Sequence, residues 1–168
     1  MGLYPGAIEQ QAAAIIAAYR DLGWMIATAE SCTGGLIVGA LPEIAGSSAV
    51  VDRGFVTYTN QAKMDLIGVS SATLEAFGAV SKETALQMAQ GALIRSTAHV
   101  AVAVTGIAGP GGGSAGKPVG LVHLALRSRS GEVEHREMRY SDIGRDQVRL
   151  ATVRTALDIL ARAAQLPA

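Results

Sequence analysis

A chain of 168 residues has the length of one ordinary domain, and a composition 49% hydrophobic, 17% charged and 4% aromatic excludes a disordered chain and predicts a core of Ala, Val, Leu and Ile. Fourteen basic and fourteen acidic side chains cancel, which excludes the basic field that sequence-independent nucleic-acid binding needs and favours self-association as a homodimer or higher homo-oligomer. The lone Cys32 has no partner for an internal disulfide, no basic-then-apolar leader opens the chain, and no uncharged apolar run reaches the roughly 18 residues of a membrane span, so a cytoplasmic location is expected.

In chain order, Ala7, Ile8, Ala12, Ile15, Ile16 and Tyr19 recur at helical spacing and predict a helix from Gly6 to Leu22, stopped by Gly23. The run "GWMIATA" reads as a short buried strand, and "CTGGLIVGALPEIAG" returns to helical spacing until Pro42 and Gly46. Ser31 therefore falls at a strand-to-helix turn. "VVDRGFVTYT" is a second strand, rich in β-branched and aromatic residues, and Asn60 is expected to cap a short helix from Gln61 to Ile67. "SSATLEAFG" predicts another short helix closed by Gly78, and Ser81 followed by Thr84 opens a longer one to about Ser96. "HVAVAVTG" has the continuous apolar character of a strand covered on both faces. Strands from Val119 to Arg127 and Glu132 to Tyr140 flank "SRSG" as a hairpin, and a last helix runs from about Asp142 to Ala164. This order predicts a single α/β domain over residues 1–168: a three-layer α/β/α sandwich on a mixed, mostly parallel sheet of about five strands that ends in an antiparallel hairpin.

The glycine-dense segment from Gly106 to Gly120 follows a buried strand, which makes it a candidate binding loop rather than a spacer. Gly111, Gly113 and Gly116 match the dinucleotide spacing, but a strand follows where that fingerprint needs a helix. Gly111 to Lys117 matches a phosphate loop, but Pro118 stands where a hydroxyl is needed for magnesium. What remains is a set of backbone N–H groups able to nest an anion. His99, His123 and His135 have no metal-ligand spacing, so no bound metal is expected, and His123 in "GLVHLAL" reads as a core residue before a general base.

In "TAESCTGGLI", Ser31, Cys32 and Thr33 are adjacent nucleophile candidates, with a helix cap as the plain alternative for either hydroxyl. A turn at this place leaves backbone N–H groups able to stabilise an oxyanion, and Gly34 and Gly35 permit close approach. Glu30 is open between a cap, an orienting group and a surface charge. Without a histidine in a catalytic-looking loop, the best base is Lys63 in "TYTNQAK": a lysine desolvated beside a serine is neutral enough to take its proton, although an ordinary solvated helix charge is the competing reading. Tyr58, at the end of the second strand, reads first as a packed strand end with a wet hydroxyl.

The segments "TAESCTGG", "AGSSAVVDRGFVTYTNQAK", "GAVSKETALQMAQGAL", "TGIAGPGGG" and "KPVGLV" together resemble the competence-damage-inducible CinA C-terminal domain family, the nicotinamide mononucleotide deamidases of PncC type, in the family's order over most of the chain. The resemblance implies hydrolysis of the mononucleotide's carboxamide to nicotinate mononucleotide and ammonia, a step of pyridine nucleotide recycling, with no metal or cofactor. It implies Ser31 as nucleophile, with Tyr58 and Lys63 in the family's Y-x-N-x-x-K segment. Relatives with an additional N-terminal domain have a second, pyrophosphatase-type activity; this chain starts at the deamidase domain, so that activity is expected to be absent. The expected substrate contacts are Glu30, Thr33, Gly34, Gly35, Ser48 beside Ser47, Asn60, Thr105, Gly106, Gly112, Gly113 and Arg145, the last a cation oddly placed against a helix dipole unless it serves a ligand. A non-catalytic nucleotide-binding or regulatory module, and a serine amidase for another small amide, are the competing functions.

Overall fold

The computed structural model describes residues 2–165. Its first helix, α1, spans Gly6–Leu22 as the periodicity predicts, and ends where Gly23 takes a left-handed φ of 68° and Trp24 N–H reaches back to the Tyr19 carbonyl. Strand β1 (Ile26–Glu30) follows, then α2 (Leu36–Ala40), a 3₁₀ turn at Ser47–Ala49, β2 (Val51–Val56), α3 (Asn60–Ile67), α4 (Ser71–Phe77) and α5 (Lys82–Ile94). The remaining elements are β3 (Val100–Gly106), β4 (Leu121–Ser128), β5 (Val133–Arg139) and α6 (Arg145–Ala163).

Two boundaries differ from the sequence reading in ways that shape the site. The second helix is cut to five residues because Gly34 and Gly35 both take left-handed backbone, φ 60° and 99°, which a helix cannot absorb. Residues 31–35 thus form an open turn. The cap of α3 is Thr59 rather than Asn60, its hydroxyl accepting from Ala62 N–H at 3.0 Å, because the chain is still extended at Thr59.

The sheet has the order β2-β1-β3-β4-β5, with β2, β1 and β3 parallel and antiparallel pairing from β3 to β4 and from β4 to β5. The reversal starts one strand before the hairpin because the glycine-rich loop sends β4 back beside β3, and β4 alone runs against the rest. Alternation along the buried strands separates two cores. Val100, Val102 and Val104 of β3 and Val122, Leu124 and Leu126 of β4 face α1, α2 and α6, while Ala101, Ala103 and Ala125 face α3, α4 and α5. The alanine face lets α5 lie close to the sheet through Ala85, Ala89 and Ala92, and a side chain on Gly91 would overlap the Ile67 carbonyl of α3. On the other face the buried Tyr19 hydroxyl donates to the Leu160 carbonyl at 2.9 Å and ties α1 to α6. Among the described residues no helix is long and apolar enough to cross a membrane.

Candidate active site

Ser31 is the first residue beyond β1, and its N–H still donates to the Val104 carbonyl of β3 at 3.1 Å, so the sheet holds its backbone. Its own carbonyl accepts from Gly34 N–H at 3.0 Å and closes the turn. Glu30, the last residue of β1, is fully buried, and its carboxylate accepts from Thr28 Oγ1, Thr33 Oγ1, Ile37 N–H and Val38 N–H. A charge hidden from water needs such a full set of donors. Glu30 is thus the group that caps α2 and orients the turn, and its position as a substrate contact is taken by these internal bonds. The hydroxyl of Thr33 is spent on Glu30 as well, and neither Ser31 nor Thr33 caps the helix.

Lys63 reaches the turn from α3, on the opposite face of the sheet from α6, and is 1% exposed. A solvated helix charge is thereby excluded. Its Nζ lies 3.0 Å from Ser31 Oγ, 2.8 Å from the Thr57 carbonyl and 3.3 Å from the Tyr58 carbonyl. Those carbonyls stand beside Ser31 because β2 pairs with β1 up to Val56 and Thr57 N–H continues the ladder to the Glu30 carbonyl at 2.8 Å. Burial pushes the Lys63 ammonium down to a pKa of about 8, against a smaller opposing pull from Cys32. Burial pushes the Cys32 thiol up to about 11, so Cys32 is a neutral thiol beside a much more acidic lysine.

Tyr58 touches this pair through its backbone. Its hydroxyl, on a side chain 59% exposed, accepts instead from Arg145 Nη2 at 3.1 Å, and Arg145 Nη1 donates to the Gly109 carbonyl at 2.8 Å. Arg145 is the first residue of α6, and it links the glycine-rich loop to the segment that leads into Lys63. Farther along the loop Lys117 Nζ donates to the Phe77 carbonyl at 2.6 Å, and Gly112 and Gly113 are exposed at the crest.

The other expected contacts divide. Gly34 and Gly35 lie in the turn beside Ser31. Thr105 is 1% exposed with its hydroxyl committed to the Ala79 carbonyl at 2.7 Å, so it braces the end of β3 and offers no free donor. Gly106 is inside β3 opposite Val122, where a Cβ would lie 2.6 Å from Val122 Cγ2; it serves strand packing. Asn60 is exposed at the start of α3. Ser47 and Ser48 precede β2, whose Val51 pairs with Ile26, so they lie at the end of the sheet opposite Ser31, about 17 Å of strand away. His123 is buried with Nδ1 2.9 Å from His135 Nε2, at β4 and β5, in keeping with a core residue. Among the described residues no three His, Cys, Asp or Glu side chains gather as a metal site.

Three participants were missing from the sequence reading. Thr28 supplies a donor to Glu30, Thr57 supplies a carbonyl to Lys63, and Arg149 donates from Nε to the Cys32 carbonyl at 3.1 Å and from Nη2 to the Thr33 carbonyl at 3.0 Å. Only Arg149 left a readable sign, its four-residue spacing from Arg145 on one helix face.

Residues 8–164 match the family model described as the CinA C-terminal domain. The chain belongs to the CinA C-terminal domain family. A relative named nicotinamide-nucleotide amidohydrolase PncC, from Enterobacter agglomerans, is 53% identical over 80% of this chain and 81% of its own length. A CinA-like protein of Geobacter sulfurreducens is 48% identical over 89% of this chain, which spans only 36% of that longer protein. Among solved structures, a competence/damage inducible protein from Agrobacterium tumefaciens is 69% identical over 98% of this chain and all of its own, with a TM-score of 0.97. A CinA superfamily protein from Klebsiella pneumoniae is 34% identical over 94% of this chain and 97% of its own, at 0.89. The α/β architecture of this CinA domain is that of its family.

Proposed function

We propose that this chain is a nicotinamide-nucleotide amidohydrolase that releases ammonia from the carboxamide of nicotinamide mononucleotide by way of Ser31. The observation that carries the reading is the buried Lys63 Nζ, 3.0 Å from Ser31 Oγ and fastened to two carbonyls. A neutral amine has two N–H donors and one lone pair. With the donors on the Thr57 and Tyr58 carbonyls, the lone pair is left for the Ser31 hydroxyl; once protonated, all three donors find an oxygen. The site therefore accommodates both protonation states of a base.

Ser31 Oγ attacks the carboxamide carbon as its proton moves to Lys63, and turn N–H groups receive the charge that forms on the amide oxygen. Collapse of the tetrahedral species breaks the carbon–nitrogen bond and the Lys63 proton leaves with ammonia. A water molecule, deprotonated by Lys63, then attacks the acyl-serine, and as the ester carbon–oxygen bond breaks Lys63 returns that proton to Ser31 Oγ, freeing the acid. The relative's printed name and its 53% identity support the substrate. The free donors of Arg145 and the glycine-rich loop around Gly112 and Gly113 are the reading's binding groups for the phosphate. Such a substrate supports a cytoplasmic location, and charge balance supports a homo-oligomer.

Ammonia release from nicotinamide mononucleotide tests the reading. Ser31→Ala lowers the rate at least about 10³-fold while the circular dichroism spectrum is preserved. Unchanged turnover in that variant removes Ser31 from the chemistry, and no release by the native chain removes the substrate.

A further inference from the structure

The nucleophile turn is gripped from the side opposite Lys63. Arg149, in the second turn of α6, is half-buried, and its guanidinium donates to two consecutive carbonyls, Cys32 at 3.1 Å and Thr33 at 3.0 Å. The Thr33 carbonyl also accepts from Leu36 N–H at 3.2 Å, and the N–H of the same peptide, on Gly34, donates to the Ser31 carbonyl at 3.0 Å. That peptide plane is fixed at both ends. The plane before it, between Cys32 and Thr33, is held through its carbonyl by Arg149 alone, and the Thr33 N–H makes no hydrogen bond among the described residues.

A trans peptide points its N–H opposite its C=O. The Cys32 carbonyl is turned toward the Arg149 guanidinium, so the Thr33 N–H of the same peptide points away from that guanidinium. The N–H groups that begin α2 are not available for this task, since Ile37 and Val38 donate to Glu30. A cation on the carbonyl also polarises the peptide and strengthens its N–H as a donor.

We propose that Arg149 is a positioning residue for the oxyanion site: by holding the Cys32 and Thr33 carbonyls it aims the Thr33 N–H at the oxygen that gains charge when Ser31 attacks. This rests on Ser31 being the nucleophile. Arginine suits the task because its planar fork sets Nε and Nη2 on two carbonyls at a fixed spacing, whereas a lysine offers a single point charge on a flexible stem.

A fluorophosphonate probe tests the role without the nucleotide. Ser31 Oγ displaces fluoride from phosphorus, its proton passes to Lys63, and the phosphoryl oxygen draws on the same N–H donor. The native chain is labelled at Ser31, as located by mass spectrometry, and Arg149→Lys slows labelling at least about 10-fold with the pH midpoint of the reaction unmoved. Millimolar guanidinium restores much of the labelling rate of Arg149→Ala. In turnover, kcat of Arg149→Lys falls by about 10²-fold, the scale of losing one oxyanion donor, with KM within about threefold of native. Labelling by Arg149→Lys within twofold of the native rate overturns the proposal, as does a shifted pH midpoint, which would place Arg149 on Lys63. If Arg149→Ala does not fold, the Lys variant decides alone. A native chain that is never labelled overturns the serine reading itself, a result distinct from labelling that is indifferent to position 149.

Discussion

At the scale of single residues, the site depends on one amine that water does not reach. An ordinary lysine is fully charged at neutral pH and cannot accept a proton, but Lys63, pushed down to about 8 by burial, is partly neutral there. The sign of the pH dependence follows. Deprotonation makes the base, so kcat/KM for ammonia release rises with pH and levels off through a midpoint near 8, read from a profile between pH 6 and 10. A flat profile, or one that falls over this range, contradicts Lys63 as the base. Cys32 behaves oppositely: held as a thiol by its burial, it lacks the charge that would let it compete with Ser31. The adjacent hydroxyls were equivalent by residue type, and what separates them is their partners. The Thr33 hydroxyl faces Glu30, while Ser31 Oγ faces Lys63.

At the scale of elements, the turn at Ser31 is open because the helix after it starts late. Gly34 and Gly35 in left-handed backbone postpone α2 to Leu36, and Glu30 then satisfies its first N–H groups from the strand behind. A Cβ at position 35 meets nothing closer than Val56 Cγ2 at 3.5 Å, so the obstacle to a side chain is backbone conformation and not space. Gly35→Ala is therefore expected to destabilise the chain by about 1–2 kcal/mol, a melting temperature lower by roughly 2–8 °C in thermal denaturation. An unchanged melting temperature would show that the turn can take another path. The positions of α1 and α5 were legible from apolar spacing alone, because each presents one face to a core. The length of α2 was not, since its apolar spacing continues through glycines that the tertiary turn puts to another use. Nor was the contact of Thr105: a polar residue in a family segment signals that something is held there, but its partner, the Ala79 carbonyl, is settled by packing.

At the scale of the whole molecule, the sheet carries Ser31 to the carboxyl end of β1, between β2 and β3, α3 brings Lys63 over one face, and α6 brings Arg145 and Arg149 over the other. This assembly has a cost. The unfolded chain has Lys63 near its ordinary 10.5 and the folded chain near 8, so between these values the unfolded state binds more protons. Stability attributable to Lys63 thus rises as pH increases from about 8 to about 10.5, and below 8 the burden is complete, on the order of 3 kcal/mol. Lys63→Met removes the titration. The native chain should gain melting temperature on this variant as pH is raised from 7 to 10, and a constant gap would mean that Lys63 titrates alike in both states.

The sequence by itself determined the helices with strong periodicity, the buried strands, the α/β layering and the segments that belong to the CinA family, because apolar spacing and turn chemistry are local properties of the chain. It also singled out the turn at Ser31 and Lys63 as the candidates for chemistry. The tertiary structure alone decided that Lys63 is a buried amine beside Ser31 and not a surface charge, that Glu30 serves the turn, and that Arg149 holds the carbonyls behind it. Hydrogen-bond partners such as Lys63 and Ser31, 32 positions apart, or Arg149 and Cys32, 117 apart, meet only when the sheet and its two helical layers are assembled. The protonation state of Lys63 then follows from the water that this assembly excludes.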